Sequence, residues 1–250
     1  RVFASGYHGN DDPDGGFYYS YDRGATWNGP YQLGDLNDRG PLEGMMLSPR
    51  TDYIVRGQGE CLLFLSAKAS EEGNERIGMI KTEDGGLSFQ FVAWVTPEPK
   101  EARAIMSQTI PLASGQILST YRKIYRDDRK ATIEAFVSDD RGLTWRHLST
   151  IKTMQRSSNP PATVQLEDGR VVCVYGDRQV KEIRGRYSTD DGRTWGEEFV
   201  VRDDFAALDD DPDLGYTRLV QRDDGRLVAM YYWATAEHPQ QHIAASIWMP

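Results

Sequence analysis

Ionisable side chains stand on segments whose other residues are suited to strands. Glu43, Arg50 and Asp52 fall within one such segment. Strand interiors rarely hold three ionisable groups unless these face a solvated channel. Asp52 or Glu43 therefore either lines a pocket or forms an ordinary ion pair with Arg50. Arginine forks bind carboxylates through paired hydrogen bonds, and carboxyl groups transfer protons. These residue types suit recognition of an acidic ligand and acid–base chemistry.

Polar residues recur at equivalent places in later segments, at the starts of strands or just after apolar runs. Tyr216 opens the last of these segments and is interpreted from its position as a binding or packing residue, whereas Asp52 and Glu43 are catalytic candidates. The candidate substrate-binding residues are Arg50, Arg103, Asn159, Arg178, Arg184, Arg218 and His8. Each of these residues has a second interpretation, as an ordinary surface or loop residue.

An eight-residue motif of the form [ST]-x-D-x-G-x-[ST]-[WF], called the turn box below, organises the chain. Aspartate can accept backbone N–H bonds within a turn, and glycine can adopt positive φ. We therefore expect these aspartates to shape hairpins and not to catalyse. The four copies are Ser20–Trp27, Thr82–Phe89, Ser138–Trp145 and Ser188–Trp195.

Alternating and apolar strand segments flank each turn box, and Asp-Gly turns join several of them. The repeat unit is a four-stranded antiparallel sheet with the box between its third and fourth strands. Stacked units of this kind make an all-β propeller. The first unit lacks an opening strand, and the last lacks a box and a fourth strand. The five units are 1–37, 38–98, 99–152, 153–204 and 205–250.

Composition excludes several classes of protein. The net charge of −9, without a basic stripe, argues against nucleic acid as a partner. No apolar run reaches the roughly 18 residues that span a bilayer, so we expect no membrane partner. Cys61 and Cys173 lie in apolar runs and are expected to be buried free thiols. Asn10–Gly15 is similar to the start of a calcium loop, but its twelfth position is Tyr21 in place of glutamate, and Asp209–Asp213 is a second acidic loop. We interpret both as solvated acidic turns and expect no metal and no cofactor.

The turn boxes resemble the Asp-box (BNR) repeats of the sialidase superfamily, and the resemblance covers essentially the whole chain. It implies a propeller, usually six-bladed, with a pocket at one end of its axis and the boxes on its periphery. It further implies an arginine triad for the substrate carboxylate, a tyrosine nucleophile with a glutamate partner, and an aspartate acid/base. Gly215–Val220 resembles the tyrosine-bearing strand, and Arg178 an arginine that ends another strand. The family's glutamate has no counterpart at Ser157–Pro161.

On this resemblance we expect a sialidase-like glycoside hydrolase that cleaves terminal, acidic sugars from glycans. Arg50, Arg178 and Arg218 would hold the carboxylate. Asp52 or Glu43 would protonate the leaving oxygen, and Tyr216 would be the nucleophile or a stabilising group. Two alternatives stay open: a non-catalytic carbohydrate-binding propeller, and a polysaccharide lyase for uronic acids in which Tyr216 and His8 serve as base and acid.

The organisation expected is a single domain over residues 1–250, acting as a monomer on a glycan or oligosaccharide. The chain begins at Arg1 without methionine, and we expect it to be truncated at its N-terminus. The family resemblance alone favours a secreted or periplasmic location.

Overall fold

The computed structural model describes residues 2–6, 16–70, 73–98, 100, 102–128, 130–155, 159–207 and 213–250. Sheet 1 contains β1 (Val2–Gly6), β2 (Gly16–Ser20) and β3 (Asn28–Tyr31). Sheet 2 contains β4 (Met46–Gly57), β5 (Glu60–Lys68), β6 (Arg76–Thr82) and β7 (Gln90–Trp94). Sheet 3 contains β8 (Ala102–Pro111), β9 (Ile117–Tyr125), β10 (Ala131–Ser138) and β11 (Arg146–Met154). Sheet 4 contains β12 (Ala162–Gln165), β13 (Val171–Asp177), β14 (Glu182–Ser188) and β15 (Phe199–Arg202). Sheet 5 contains β16 (Gly215–Gln221), β17 (Leu227–Trp233) and β18 (His242–Trp248).

Strands follow one another in chain order within every sheet, and each described pair is antiparallel. The turn box lies between β2 and β3 in sheet 1 but between the third and fourth strands of sheets 2 to 4. Sheet 1 therefore corresponds to strands two to four of the repeat, and sheet 5 to strands one to three. The predicted all-β propeller and its incomplete first and last units are confirmed. Among the described residues, no helix is long and apolar enough to cross a membrane.

Each turn box is closed by the same set of hydrogen bonds. In the third box, Thr144 donates its backbone N–H to Asp140 Oδ1 at 2.8 Å and its hydroxyl to Oδ2 at 2.6 Å. The Ser138 hydroxyl binds the same carboxylate at 2.8 Å, and Gly142 takes a φ of 93°. The other three boxes repeat this pattern. The prediction that these aspartates form turns is confirmed.

The hydrophobic core is divided into four clusters, each between two consecutive sheets. The alternation of side chains along β13 shows why. Cys173 and Tyr175 pack toward sheet 3, whereas Val172 and Val174 pack toward sheet 5. An unbroken apolar run is thus buried on both faces. Both cysteines are buried free thiols, as predicted.

The first strands of sheets 2 to 5 lie beside one another around the propeller axis. Two of them carry the same β-bulge, a single extra residue in one strand of the pair. In β8 it falls between Ile105 and Gln108, and in β16 between Gly215 and Arg218. The first residue of each bulge has positive φ, 57° at Met106 and 52° at Tyr216. Such values are costly for non-glycine residues, and the flanking strands must hold them in place.

Candidate functional site

A cavity of about 430 Å³ opens at the end of the propeller where β8 and β16 begin and where β9 and β13 end. Because these strands belong to sheets 3, 4 and 5, the cavity walls come from three repeats. The lining residues are Arg103, Arg122, Ile124, Tyr125, Arg126, Arg178 and Tyr216.

Arg122 is the most deeply placed cation of this cavity, with 7% of its surface exposed. Burial lowers the pKa of its guanidinium to about 10, and the nearby Arg178, Arg103 and Arg50 act in the same direction. Tyr216 acts in the opposite direction and raises the pKa of Arg122. Arg178, Arg103 and Arg50 therefore each disfavour the positive charge of Arg122. A bound anion would relieve this repulsion, so the site is suited to a negatively charged ligand.

Arg103 is fixed by a buried carboxylate of the neighbouring sheet. Its Nη2 donates to Glu75 Oε1 at 2.9 Å, and only 5% of Glu75 is exposed. Glu75 also forms an isolated parallel bridge with Arg103. A charge-assisted hydrogen bond of this kind limits the rotamers of a long side chain. Sheet 2 thus holds an arginine of sheet 3 at the cavity.

Arg178 is fixed from the other side by Asp213. Arg178 Nη2 and the Tyr232 hydroxyl both donate to Asp213 Oδ1, the latter at 2.6 Å. Burial and the neighbouring Asp213 raise the pKa of Tyr232 above its ordinary value. The Tyr232 ring lies 5.6 Å from the Tyr216 ring, centroid to centroid. This network ties the end of β13 to sheet 5 next to Tyr216.

Tyr216 is 41% exposed and owes its position to the bulge of β16. Directly before it, Gly215 lies against Asn159, which is fully buried and donates from Nδ2 to the Leu214 carbonyl. Asn159 also donates its backbone N–H to the Gly176 carbonyl at 3.2 Å. Asn159 thus lies behind the tyrosine and supports it, and it does not line the cavity.

Asp52 lies on β4, bonds Thr109 of β8 and is 2% exposed. Its Oδ1 accepts the Thr109 backbone N–H and its Oδ2 the Thr109 hydroxyl, both at 2.8 Å. Burial raises its pKa from 3.8 to about 6, although hydrogen bonds and the charge of Arg218 act against the shift. This carboxyl joins two sheets and is shielded from a ligand in the cavity.

Replacing Asp52 with asparagine should flatten the dependence of stability on pH. Because the folded-state pKa is raised, the carboxyl's contribution is complete below its unfolded value of 3.8 and is lost as the pH rises through about 6. That loss amounts to about 3 kcal/mol at roughly 1.4 kcal/mol per pKa unit. Urea unfolding between pH 4 and pH 7 should show this decline in the parent protein and not in Asp52→Asn. Parallel pH profiles would contradict it.

The remaining predicted residues have varied surroundings. Arg50 acts on Arg122 electrostatically and donates from Nε to Ser48 Oγ at 3.3 Å. Arg218 is exposed on β16 and attracts Asp52. Neither residue is part of the cavity lining, although both lie on first strands.

Two further candidates lie away from the cavity, and one cannot be placed. Glu43 is exposed and follows a short 3-10 helix, Gly40–Leu42. Arg184 pairs with Glu182 at 2.5 Å and with Glu198 at 3.0 Å on sheet 4. His8 lies outside the described residues.

The structure therefore brings together Arg103, Arg178 and Tyr216 from the sequence prediction, with Arg50 nearby. The site also includes residues that are not among the predicted catalytic and substrate-binding residues, namely Arg122, Arg126, Glu75, Asp213 and Tyr232. The sequence could have indicated Arg122, because Arg122 ends an apolar segment in the same way as Arg178 follows one. Within the described ranges, no group of three or more His, Cys, Asp or Glu side chains is arranged to hold a metal ion.

Comparison with known families identifies the class of this chain. The BNR repeat-like domain family matches residues 5–228. Because this match spans most of the sequence, the chain belongs to that family. No curated protein matches the sequence significantly.

Solved structures share the fold. A protein of unknown function from Dyadobacter fermentans superposes with a TM-score of 0.73 at 24% identity, covering 94% of this chain and 64% of that one. The Hadza microbial sialidase Hz136 gives 0.68 at 14%, covering 94% and 50%. A GH93 α-L-arabinofuranosidase from Fusarium graminearum gives 0.63 at 15%, covering 80% and 65%. This chain spans less than two thirds of each of these structures. Such identities establish the fold and leave activity open.

Proposed function

We propose that this protein is a glycoside hydrolase that removes terminal acidic sugars from glycans. The observation that carries the proposal is the convergence of Arg103, Arg122 and Arg178 on the cavity that also holds Tyr216. Guanidinium groups repelling one another in a confined space favour a carboxylate ligand. The names of similar structures, sialidases and an arabinofuranosidase, support glycoside hydrolysis as the reaction class.

Each side chain has a distinct part in this scheme. The arginines hold the sugar carboxylate. Tyr216 gives up its phenolic proton and bonds to the anomeric carbon as the glycosidic bond breaks, and the leaving oxygen is protonated. Water then cleaves the tyrosyl–sugar bond and restores the phenol. A phenol suits this role because a carboxylate nucleophile would bring a second negative charge beside the anionic sugar. Asp213 contacts Arg178, and its side chain is 45% exposed, whereas Glu75 is nearly buried. Proton exchange near the substrate requires access, so we assign it to Asp213 and assign Glu75 the positioning of Arg103.

Fluorogenic glycosides test the reaction. The 4-methylumbelliferyl glycosides of sialic acid and of uronic acids should include at least one substrate, whereas the neutral α-L-arabinofuranoside should be inert. Tyr216→Phe should lower kcat by about 100-fold or more, because the phenolic oxygen is the attacking atom. Tyr31→Phe, on sheet 1, serves as the control and should retain activity. Cleavage of the arabinofuranoside alone would contradict the assignment of an acidic substrate. An unsaturated product would indicate a lyase.

A second function is favoured by one observation. Among the described residues, the cavity lining contains no carboxylate, and Glu75 and Asp213 are both engaged by arginines. A non-hydrolytic propeller that binds acidic sugars would have this composition. Binding on a glycan array without turnover of any bound glycan would establish that function in place of hydrolysis.

A further inference from the structure

A second cavity, of about 400 Å³, lies between sheet 1 and the hairpin that joins β4 to β5. Its side chains include Tyr19, Tyr21, Val55, Gln58 and Glu60. The hairpin follows the end of β4, whereas the arginine-lined cavity lies at the end where the first strands begin. The two cavities share no lining residue.

One wall of this cavity is aromatic and open to solvent. The rings of Tyr19 and Tyr21 meet edge to face, with centroids 5.0 Å apart and an interplanar angle of 77°. Tyr21 is 63% exposed, and Val55 across the cavity is 59% exposed. Burying such side chains would gain hydrophobic energy, yet the fold leaves both accessible. In the other three turn boxes, the position of Tyr21 is occupied by Glu83, Asp139 and Thr189. The aromatic side chain at this position therefore occurs only in the first turn box.

The floor and rim define the ligand chemistry. Glycine backbone at Gly57, Gly59 and Gly85 leaves space beside the tyrosines, and Gly85 N–H donates to the Gly59 carbonyl at 2.9 Å. Gln58 and Glu60 provide an amide and a carboxylate that can bond hydroxyl groups. Glu60 and the adjacent Glu83 make the rim acidic, although Glu83 pairs with Lys81 at 3.0 Å. Charge complementarity therefore disfavours an anion here, in contrast to the arginine-lined cavity.

We propose that this cavity is a binding site for a neutral sugar unit of a polysaccharide. The apolar face of a pyranose or furanose ring packs on the tyrosines, and its hydroxyl groups bond Gln58 and Glu60. An apolar ligand would leave the acidic rim desolvated without a partner, which is unfavourable. The site requires no catalysis and stands independently of the proposed hydrolase activity.

Affinity electrophoresis in gels containing soluble arabinan, galactan or mixed-linkage β-glucan tests the proposal. At least one neutral polysaccharide should retard the parent protein. Tyr21→Ala should weaken that interaction by about tenfold, the loss expected for one stacked ring. Trp27→Ala is the matched control, because Trp27 is an aromatic residue of the same turn box, 45% exposed and outside the cavity. It should change the affinity by less than about twofold.

Three results would overturn the proposal. The first is a parent protein that migrates equally in all three gels and in a gel without polysaccharide. The second is an equal loss of affinity in Tyr21→Ala and Trp27→Ala. The third is an equal loss of affinity for the neutral polysaccharide in Tyr216→Phe and Tyr21→Ala. Such a loss would place the neutral sugar in the arginine-lined cavity. Retardation by the parent protein and by Tyr216→Phe supports the site even where every glycoside stays uncleaved.

Discussion

Replacing Arg122 with methionine should reduce kcat/KM for an acidic glycoside by about 10²- to 10³-fold, the cost of losing a buried charge-assisted contact. Arg122 lies deepest among the cavity arginines, and its neighbours Arg103 and Arg178 are restrained by carboxylates. Arg103 and Arg178 therefore cannot readily take its place. The comparison requires a folded variant, so urea unfolding of Arg122→Met is measured beside its kinetics.

Two further variants make the Arg122 result specific. Arg122→Lys retains the charge without the two-pronged fork, so its kcat/KM should fall between those of the parent and Arg122→Met. Arg146→Met removes an exposed arginine that pairs with Asp139 at 3.2 Å and should retain full activity. Steady-state kinetics measure the activity of each variant, and urea unfolding shows whether it is folded. Full activity in a folded Arg122→Met variant would refute the assigned role.

Replacing Gly215 with alanine should lower the free energy of unfolding by about 3 to 5 kcal/mol and abolish activity. Gly215 has a φ of 109°, and an added Cβ would lie 2.6 Å from Asn159 Nδ2. Asn159 cannot readily retreat, because it is buried and bonded to the backbone of Leu214 and Gly176. The next residue is Tyr216, so any local shift would displace its ring.

Gly225→Ala is the matched control for this prediction. Gly225 belongs to the same sheet, in the turn between β16 and β17, and has a φ of 81°. An added Cβ there would meet only Met249 Cε, at an ordinary 3.9 Å. Its cost should be about 1 kcal/mol, from backbone strain alone. Chemical denaturation of the two variants therefore separates strain from steric exclusion, and equal losses would contradict the role given to Asn159.

Local sequence patterns sufficed to predict the fold. The turn boxes specify their own hydrogen bonds through residues such as Asp140 and Thr144, and the apolar run at β13 predicts burial on both faces. The incomplete first and last sheets also follow from the order of boxes and strands. All of these features depend on residues close together in the chain, for which residue type and spacing are sufficient information.

The site was predicted only in part, because it depends on residues distant in sequence. Arg103, Arg178 and Tyr216 lie at strand ends, and the repeat pattern predicts functional residues at these positions. Glu75 becomes relevant only because β6 begins beside β8, and a single sequence does not reveal that pairing. Asp52 was predicted to be catalytic because it is an acidic residue on a first strand. In the structure, Thr109 of the next sheet donates hydrogen bonds to both of its carboxylate oxygens, and sequence position alone does not reveal this contact.

The paired bulges of β8 and β16 have a consequence for how ligand preference can diverge in this architecture. Met106 and Tyr216 occupy equivalent backbone conformations, yet one side chain is buried and the other faces the cavity. The unusual conformation is therefore shared by two of the first strands, and the chemistry depends on which residue occupies it. The two strands offer the same backbone geometry to different side chains. Exchange of single side chains at such positions can change what the propeller recognises while its hydrogen-bond ladder stays intact.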